Sequence, residues 1–230
     1  MKKSYKAVLL DADNTLFDFD EAERRALDTT LRHRGVSPTQ AIRERYLAIN
    51  RPLWEALHRR EITQDWLSEE RFRVLGRELG LEADPAEWNR EYLEALGTCP
   101  ALLPGAIELL EALAPRCVLA LATNGVARVQ RARLAASPIQ DYFQGIFISQ
   151  EMGAAKPDKE FFTPILEALK VDAREAVMVG DTLSSDIQGA INAGIDSIWY
   201  SRNGEKSDLP TYQVRTLEEI PGLVLGGERV

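Results

Sequence analysis

The sequence predicts an α/β fold, a doubly wound parallel sheet whose chain carries an inserted all-helical domain. Short apolar runs bounded by turn-forming residues alternate with helical segments of about ten residues, which is typical of a parallel sheet with helices on both faces. After the first apolar run, roughly 75 residues are charged and helix-periodic, without a strand signal. We therefore predict a core formed by residues 1–19 and 97–230, and a helical domain formed by residues 20–96.

The composition restricts the class of protein. The chain has 230 residues, 45% of them hydrophobic, which suits one large domain or a core with an insertion. A net charge of −8 argues against a nucleic-acid backbone or an anionic membrane as the main partner. Cys99 and Cys117 lack the spacing of a metal site and are expected to be reduced thiols. The first apolar run is too short for a signal peptide or a membrane span, so we expect a soluble cytoplasmic protein.

The first predicted strand ends in two aspartates. The apolar run over residues 7–10 leads directly into Asp11 and Asp13. In open parallel sheets, ligands bind at the carboxyl ends of the strands. Two crowded carboxylates repel each other unless a cation, usually Mg²⁺, lies between them. The segment therefore indicates a magnesium site, and an acidic turn without a function is the alternative.

Capping residues predict the helices of the inserted domain. A helix over residues 21–34 is expected to end at Gly35. Ser37 opens the sequence Ser-Pro-Thr-Gln, which predicts a capping box with proline at the first helical position. Thr63 and Asp84 are predicted to cap two further helices. We therefore expect four or five helices in this domain.

The chain from residue 103 onward alternates again between helices and strands. Buried strands are predicted over residues 117–123, 145–149, 176–180 and 196–200. Helices are predicted over residues 104–114, 126–135, 159–170 and 184–193. Polar groups follow three of these strands in order: Thr123, Asn124 and Gly125, then Lys156, then Asp181 and Asp186.

Each of these polar segments has an ordinary alternative explanation. Asn-Gly is a common turn, Lys-Pro is a common surface dipeptide, and Asp186 could cap the helix that contains it. All four segments nevertheless occur in order, each at a predicted strand end or in the loop that follows. Their co-occurrence indicates a single site at one edge of the sheet.

The four segments resemble the motifs of the haloacid dehalogenase-like (HAD) hydrolases. The matching features are D-A-D-N-T after a strand, a threonine at a strand end, a lysine before a helix, and G-D followed by a second acidic residue. The resemblance covers Lys6 to about Tyr200. The helical block lies where subfamily I of that superfamily inserts a helical cap over the mouth of the active site. The resemblance thus implies a Rossmann-like core, an aspartyl-phosphate intermediate and Mg²⁺ as the cofactor.

The resemblance also implies a role for each residue. Asp11 is the expected nucleophile, and Asp13 is expected to protonate the leaving oxygen and then to take a proton from water. Donors are needed for the charge on the transferring phosphoryl group. The expected donors are the Thr123 hydroxyl, the backbone N–H groups of Asn124 and Gly125, and the Lys156 ammonium. Expected Mg²⁺ ligands are Asp11, the backbone carbonyl of Asp13 and Asp181, with Asp186 in the outer shell.

Details of the motifs favour one branch of the family. The sequences D-A-D-N-T-L-F-D-F and T-N-G look most like the pyrimidine 5′-nucleotidases. The expected partner is therefore a small phosphorylated metabolite, a nucleoside monophosphate, and an aromatic residue such as Trp54 could stack on its base. A sugar phosphatase or phosphoglycolate phosphatase is the alternative. A phosphomutase would keep every motif, Asp13 argues against a dehalogenase, and the helical insertion argues against a phospho-receiver domain. The sequence leaves the oligomeric state open.

Overall fold

The structure is a computed structural model that describes residues 3–82 and 84–226. The chain forms two compact units, one containing Met1–Phe19 and Pro100–Val230 and the other containing Asp20–Cys99. That the second unit is a cap domain stays a prediction. Among the described residues, no helix combines the length and the apolar character needed to cross a membrane.

A single parallel sheet forms the centre of the first unit. Within the described residues it has six strands, in the order β3-β2-β1-β4-β5-β6. The strands are β1 (Ala7–Leu10), β2 (Val118–Thr123), β3 (Gly145–Ile148), β4 (Ala176–Gly180), β5 (Asp196–Tyr200) and β6 (Tyr212–Val214). β1 lies between β2 and β4 and pairs in parallel with both. The predicted fold class, a doubly wound parallel sheet, is confirmed.

Hydrophobic layers cover both faces of this sheet. Successive side chains of a strand point to opposite faces. Accordingly, Val8 and Leu10 of β1 belong to one buried cluster, and Ala7 and Leu9 belong to the other. Because both faces are buried, a continuous apolar run rather than an alternating one specifies β1.

Helices connect the strands and supply these two layers. They are α5 (Ala106–Leu113), α6 (Ala127–Ala135), α7 (Ser149–Met152), α8 (Lys159–Leu169), α9 (Gln188–Ala193) and α10 (Ile220–Val224). Short 3-10 turns lie at Gln140–Tyr142, Ala173–Glu175 and Leu217–Glu219.

The helix predicted over residues 184–193 begins differently from the expectation. Its first part, Leu183–Ile187, is a π-helical turn that leads into α9. The Ile187 backbone N–H reaches back five residues to the Thr182 carbonyl oxygen, over 3.3 Å. The wider turn places Asp186 so that its Oδ2 accepts a bond of 3.0 Å from the Thr182 N–H. π-turns of this kind are frequent at functional sites.

The second unit consists of four helices among the described residues. They are α1 (Phe19–His33), α2 (Gln40–His58), α3 (Gln64–Glu78) and α4 (Pro85–Gly97). Thr63 and Asp84 cap α3 and α4, as predicted. The expected cap at Ser37 is wrong, because the Thr39 hydroxyl accepts the bond from the Ile42 N–H at 3.3 Å. Pro38 therefore precedes the cap and restricts the chain that enters the helix.

Aromatic rings fill the interior of this helical unit. The Phe72 ring lies 5.3–6.0 Å, centroid to centroid, from the rings of Tyr46, Trp88 and Tyr92. Arg71 is buried among them, with its guanidinium 4.5 Å from the centroid of the Tyr92 ring. Trp88 thus belongs to the core of this unit.

Glu23 is a buried carboxyl group inside the same unit. Its Oε1 accepts hydrogen bonds from Asn50 Nδ2 at 2.9 Å and from the Tyr92 hydroxyl at 3.4 Å. Burial raises the pKa of Glu23 from 4.5 to about 7, against the opposing charge of Arg71. The folded state therefore keeps this proton to a higher pH than the unfolded state does.

The pKa of Glu23 leads to a pH-dependent stability. Since the folded-state pKa is the higher one, the contribution of Glu23 to folding is lost as the pH rises from about 4.5 to about 7. A permanently neutral Glu23→Gln variant should gain up to about 3 kcal/mol over wild type at pH 8, and much less at pH 5. Urea unfolding at both pH values measures this difference.

The matched control for this experiment is Glu94→Gln, an exposed position on α4. Its free energy of unfolding should follow that of wild type at both pH values. A Glu23→Gln variant that is destabilised equally at pH 5 and pH 8 would contradict the assignment.

Candidate active site

The predicted site residues meet at the carboxyl ends of three neighbouring strands. Asp11 directly follows β1, Thr123 ends β2, and Asp181 directly follows β4. The Asp11 N–H donates to the Val179 carbonyl oxygen at 2.9 Å, which extends the pairing of β1 with β4 by one residue. The parallel register therefore brings residues from distant parts of the chain to one edge.

Lys156 links two carboxylates of this site. Its Nζ lies 2.5 Å from Asp11 Oδ1 and 2.7 Å from Asp186 Oδ1, and it donates to the Ala122 carbonyl oxygen at 2.7 Å. Lys156 is only 3% exposed. Burial by itself lowers the pKa of Lys156, but the charges of Asp11 and Asp186 outweigh burial and raise that pKa above its usual value. The ammonium therefore stays charged inside the protein.

Three carboxylates form a cluster suited to a cation. One carboxylate oxygen from each of Asp11, Asp181 and Asp186 lies within 4.8 Å of the other two. Burial raises the pKa of Asp11 well above its usual value, and burial together with Asp186 raises the pKa of Asp181 to about 7. A divalent cation would offset both the burial of these carboxylates and the repulsion between them, and oxygen ligands are those that Mg²⁺ prefers. The donor set therefore fits a magnesium ion.

Neighbouring groups orient the carboxylates of the cluster. The Thr182 hydroxyl donates to Asp181 Oδ1 at 3.0 Å, and the Trp199 indole N–H donates to the Asp181 carbonyl oxygen at 2.7 Å. A Cβ at Gly180 would lie 2.3 Å from the carboxyl group of Asp186, so only glycine fits there. Thr182 and Trp199 were not predicted from the sequence. Thr182 directly follows Asp181, and Trp199 lies on β5, the strand next to β4; these two positions could have indicated them.

The Asn124 side chain makes a contact that was not predicted from the sequence. Its side-chain Nδ2 donates to the Lys156 carbonyl oxygen at 2.8 Å, and its Oδ1 accepts from the Lys156 N–H at 3.0 Å. The Gly125 N–H donates to Thr123 Oγ1 at 3.0 Å. The Asn124 side chain thus anchors the backbone of Lys156, and the turn after β2 and the lysine loop form one assembly.

Asp13 is the predicted residue whose carboxylate lies outside the acidic cluster. Its Oδ1 accepts a bond from Arg133 Nη1, and its Oδ2 accepts a bond of 2.6 Å from Gln130 Nε2. Both partners belong to α6 and were not identified from the sequence. They lie one helical turn apart on the helix that follows the Thr-Asn-Gly turn, and that position was the local signal for them.

Comparison with known proteins shows the family of this chain. The family model described as haloacid dehalogenase-like hydrolase matches residues 5–194. The chain belongs to the haloacid dehalogenase-like hydrolases. It is 37% identical over 221 residues to the pyrimidine 5′-nucleotidase PynA of Streptococcus pneumoniae, covering 94% of this chain and 93% of that protein. It is 35% identical to the pyrimidine 5′-nucleotidase YjjG of Escherichia coli, covering 94% of this chain and 96% of that protein.

A solved structure extends the likeness to three dimensions. The magnesium-bound crystal structure of the HAD-hydrolase YfnB from Bacillus subtilis has a TM-score of 0.92 and 33% sequence identity with this chain. The match covers 96% of this chain and 99% of that one. The recognition of the family, the resemblance to its pyrimidine 5′-nucleotidase branch and the expectation of a hydrolase are therefore confirmed.

The contact between Asn124 and Lys156 leads to a testable expectation. An Asn124→Ala variant loses two hydrogen bonds to the Lys156 backbone, so its free energy of unfolding should fall by about 1–3 kcal/mol. Its kcat/KM toward any phosphomonoester that the wild type hydrolyses should fall at least tenfold, or about 1.4 kcal/mol, because the Lys156 ammonium is less firmly placed.

Urea unfolding and steady-state kinetics measure the two effects. Asn203→Ala removes an exposed asparagine and serves as the control, with both quantities expected at wild-type values. Unchanged stability of Asn124→Ala would mean that the anchor contributes nothing.

Proposed function

We propose that this protein is a Mg²⁺-dependent phosphatase that hydrolyses pyrimidine nucleoside 5′-monophosphates through an aspartyl-phosphate intermediate. The observation that carries the proposal is the buried Lys156 ammonium, which joins Asp11 and Asp186 next to Asp181. Such an arrangement holds a carboxylate nucleophile beside positive charge, as attack on a phosphate anion requires.

The residues divide the proposed reaction into two steps. In the first, an oxygen of Asp11 forms a bond to phosphorus, the ester bond to the nucleoside oxygen breaks, and Asp13 gives that oxygen a proton. In the second, Asp13 takes a proton from water, whose oxygen bonds to phosphorus as the acyl-phosphate bond breaks. The products are a nucleoside and inorganic phosphate, and Asp11 is regenerated.

Donors for the transferring phosphoryl group surround Asp11. Lys156 supplies the buried charge, and Thr123 together with the backbone N–H groups of Asn124 and Gly125 supplies further donors in this proposal. Mg²⁺ would be held by Asp11, the Asp13 carbonyl oxygen and Asp181, with Asp186 in the outer shell. When bound, it supplies positive charge that offsets the charge of the phosphate.

The substrate class rests on the relatives. PynA and YjjG, which are named as pyrimidine 5′-nucleotidases, each match this chain over more than nine-tenths of its length. Each match covers 94% of this chain, so it extends through most of both units. The likeness therefore supports a nucleoside monophosphate as the substrate.

The first experiment is a panel of phosphomonoesters. Release of inorganic phosphate is measured with UMP, dUMP, dTMP, AMP, phosphoglycolate, glucose 6-phosphate and 4-nitrophenyl phosphate, each with Mg²⁺ and with EDTA. We expect kcat/KM to be highest for the pyrimidine monophosphates and activity to be lost in EDTA. Preference for glucose 6-phosphate or phosphoglycolate would keep the chemistry and overturn the substrate class. Full activity in EDTA would disprove the proposed dependence on Mg²⁺.

A second experiment tests the nucleophile. Asp11→Asn removes the attacking carboxylate, so kcat should fall to less than about a hundredth of the wild-type value while the fold is retained. Acid quenching with ³²P-labelled substrate should leave label on wild-type protein and none on the variant. Asp141→Asn, at an exposed aspartate of the same unit, is the control and should label normally. Label on Asp11→Asn would disprove attack by this residue.

A further inference from the structure

Two residues of α6 hold the carboxylate of Asp13 from both sides. Arg133 donates to Asp13 Oδ1 and Gln130 Nε2 donates to Asp13 Oδ2, so each carboxylate oxygen has its own donor. A carboxylate that is held at both oxygens has little freedom to rotate. The two contacts therefore define one orientation of the Asp13 side chain.

Arg133 makes this contact from the interior of the protein. It is 0% exposed, and its guanidinium lies 4.3 Å from the centroid of the Phe17 ring. Removing a guanidinium from water is costly unless an anion and further contacts compensate for it. The anion here is Asp13, whose side chain is 24% exposed and lies two residues after Asp11. The buried guanidinium of Arg133 thus pairs with the Asp13 carboxylate, which remains partly exposed to solvent.

Gln130 connects Asp13 to the turn after β2. Its Nε2 also lies 3.4 Å from Thr123 Oγ1, within the same group of donors and acceptors. A Cβ at Gly125 would lie 2.0 Å from that Nε2, so the absence of a side chain at Gly125 makes room for Gln130. Gln130 is itself 1% exposed. Its amide is therefore fixed between the Asp13 carboxylate and Thr123.

We propose that Gln130 and Arg133 are positioning residues that set the orientation of Asp13 for proton transfer to the leaving oxygen. The inference rests on the proposed function, in which Asp13 moves that proton and Thr123 binds the phosphoryl group. Because Gln130 contacts both Asp13 and Thr123, it sets the proton-transferring group relative to the bound phosphate. Both α6 residues act through the Asp13 carboxylate that they hold.

Leaving-group dependence tests this role. A nucleoside 5′-oxygen needs a proton as its bond to phosphorus breaks, whereas 4-nitrophenolate departs as a stable anion. kcat/KM reports the step in which this bond breaks. General acid catalysis contributes about 10²–10⁴-fold, so misplacing Asp13 should cost at least about 30-fold with a nucleoside monophosphate. With 4-nitrophenyl phosphate the same variants should lose less than about threefold.

The variants are Gln130→Met, which keeps the volume and removes the donor, and Arg133→Met, with Arg133→Lys as the conservative form. Asp13→Asn is the reference and should show the same selectivity with a larger loss. Arg131→Met is the control on the same helix, because Arg131 is exposed and pairs with Glu151 through a 2.6 Å contact. The control should retain wild-type kcat/KM with both substrates, and Arg133→Lys should recover part of the loss.

Each outcome decides the inference. A fall confined to the nucleoside monophosphate supports positioning, while equal falls with both substrates, or no fall, overturn it. If Arg133→Met fails to fold, the kcat/KM values of Gln130→Met with the two substrates decide whether the inference holds. A wild-type enzyme that hydrolyses neither substrate overturns the proposed function, and this inference with it; an active wild type with equal falls overturns this inference alone.

Discussion

The buried ammonium of Lys156 is the interaction on which the rest of the site depends. Burial opposes a charge at this position, and the charges of Asp11 and Asp186 keep it there. In return, Lys156 offsets part of the repulsion between carboxylates that follow two different strands, β1 and β4. Removing Lys156 would leave both carboxylates without their buried counter-charge, which is far more costly than losing a surface pair.

A second set of contacts fixes the groups around this charge pair. Asn124 anchors the Lys156 backbone, Trp199 bonds the Asp181 carbonyl oxygen, and Gln130 and Arg133 hold Asp13. None of these four side chains carries a negative charge. Their common effect is to remove rotational freedom from the groups proposed to react, which lowers the entropic cost of reaching the reactive geometry. The side chains that orient the site therefore come from the turn after β2, from β5 and from α6.

The interior of the helical unit contains both aromatic and buried polar side chains. Its interior combines an aromatic cluster around Phe72 with a polar group formed by Glu23, Asn50 and Arg71. Burial raises the pKa of Glu23, which ties the stability of this unit to pH, whereas the apolar layers of the sheet have no such dependence.

The sequence by itself determined the parallel sheet, the ends of its strands and the identity of the groups that gather there. These features depend on residues a few positions apart, since an apolar run that stops at an aspartate specifies both a strand and its end. The β4 and β5 bounds and the caps at Thr63 and Asp84 follow from the same local preferences. Ser37 and Thr39, two competent caps two residues apart, mark where local preference fails to decide.

Only the tertiary structure decided which side chains surround those groups. Gln130 and Arg133 lie more than a hundred residues from Asp13 along the chain. Their contact exists because α6 packs with that face toward the end of β1. Likewise, the π-helical turn at Leu183–Ile187 directs Asp186 toward Lys156, where a regular helix had been expected. Hydrophobic periodicity predicts that a helix forms. Packing against neighbouring elements decides which residues of that helix face the site, and a single sequence does not encode this choice in any local pattern.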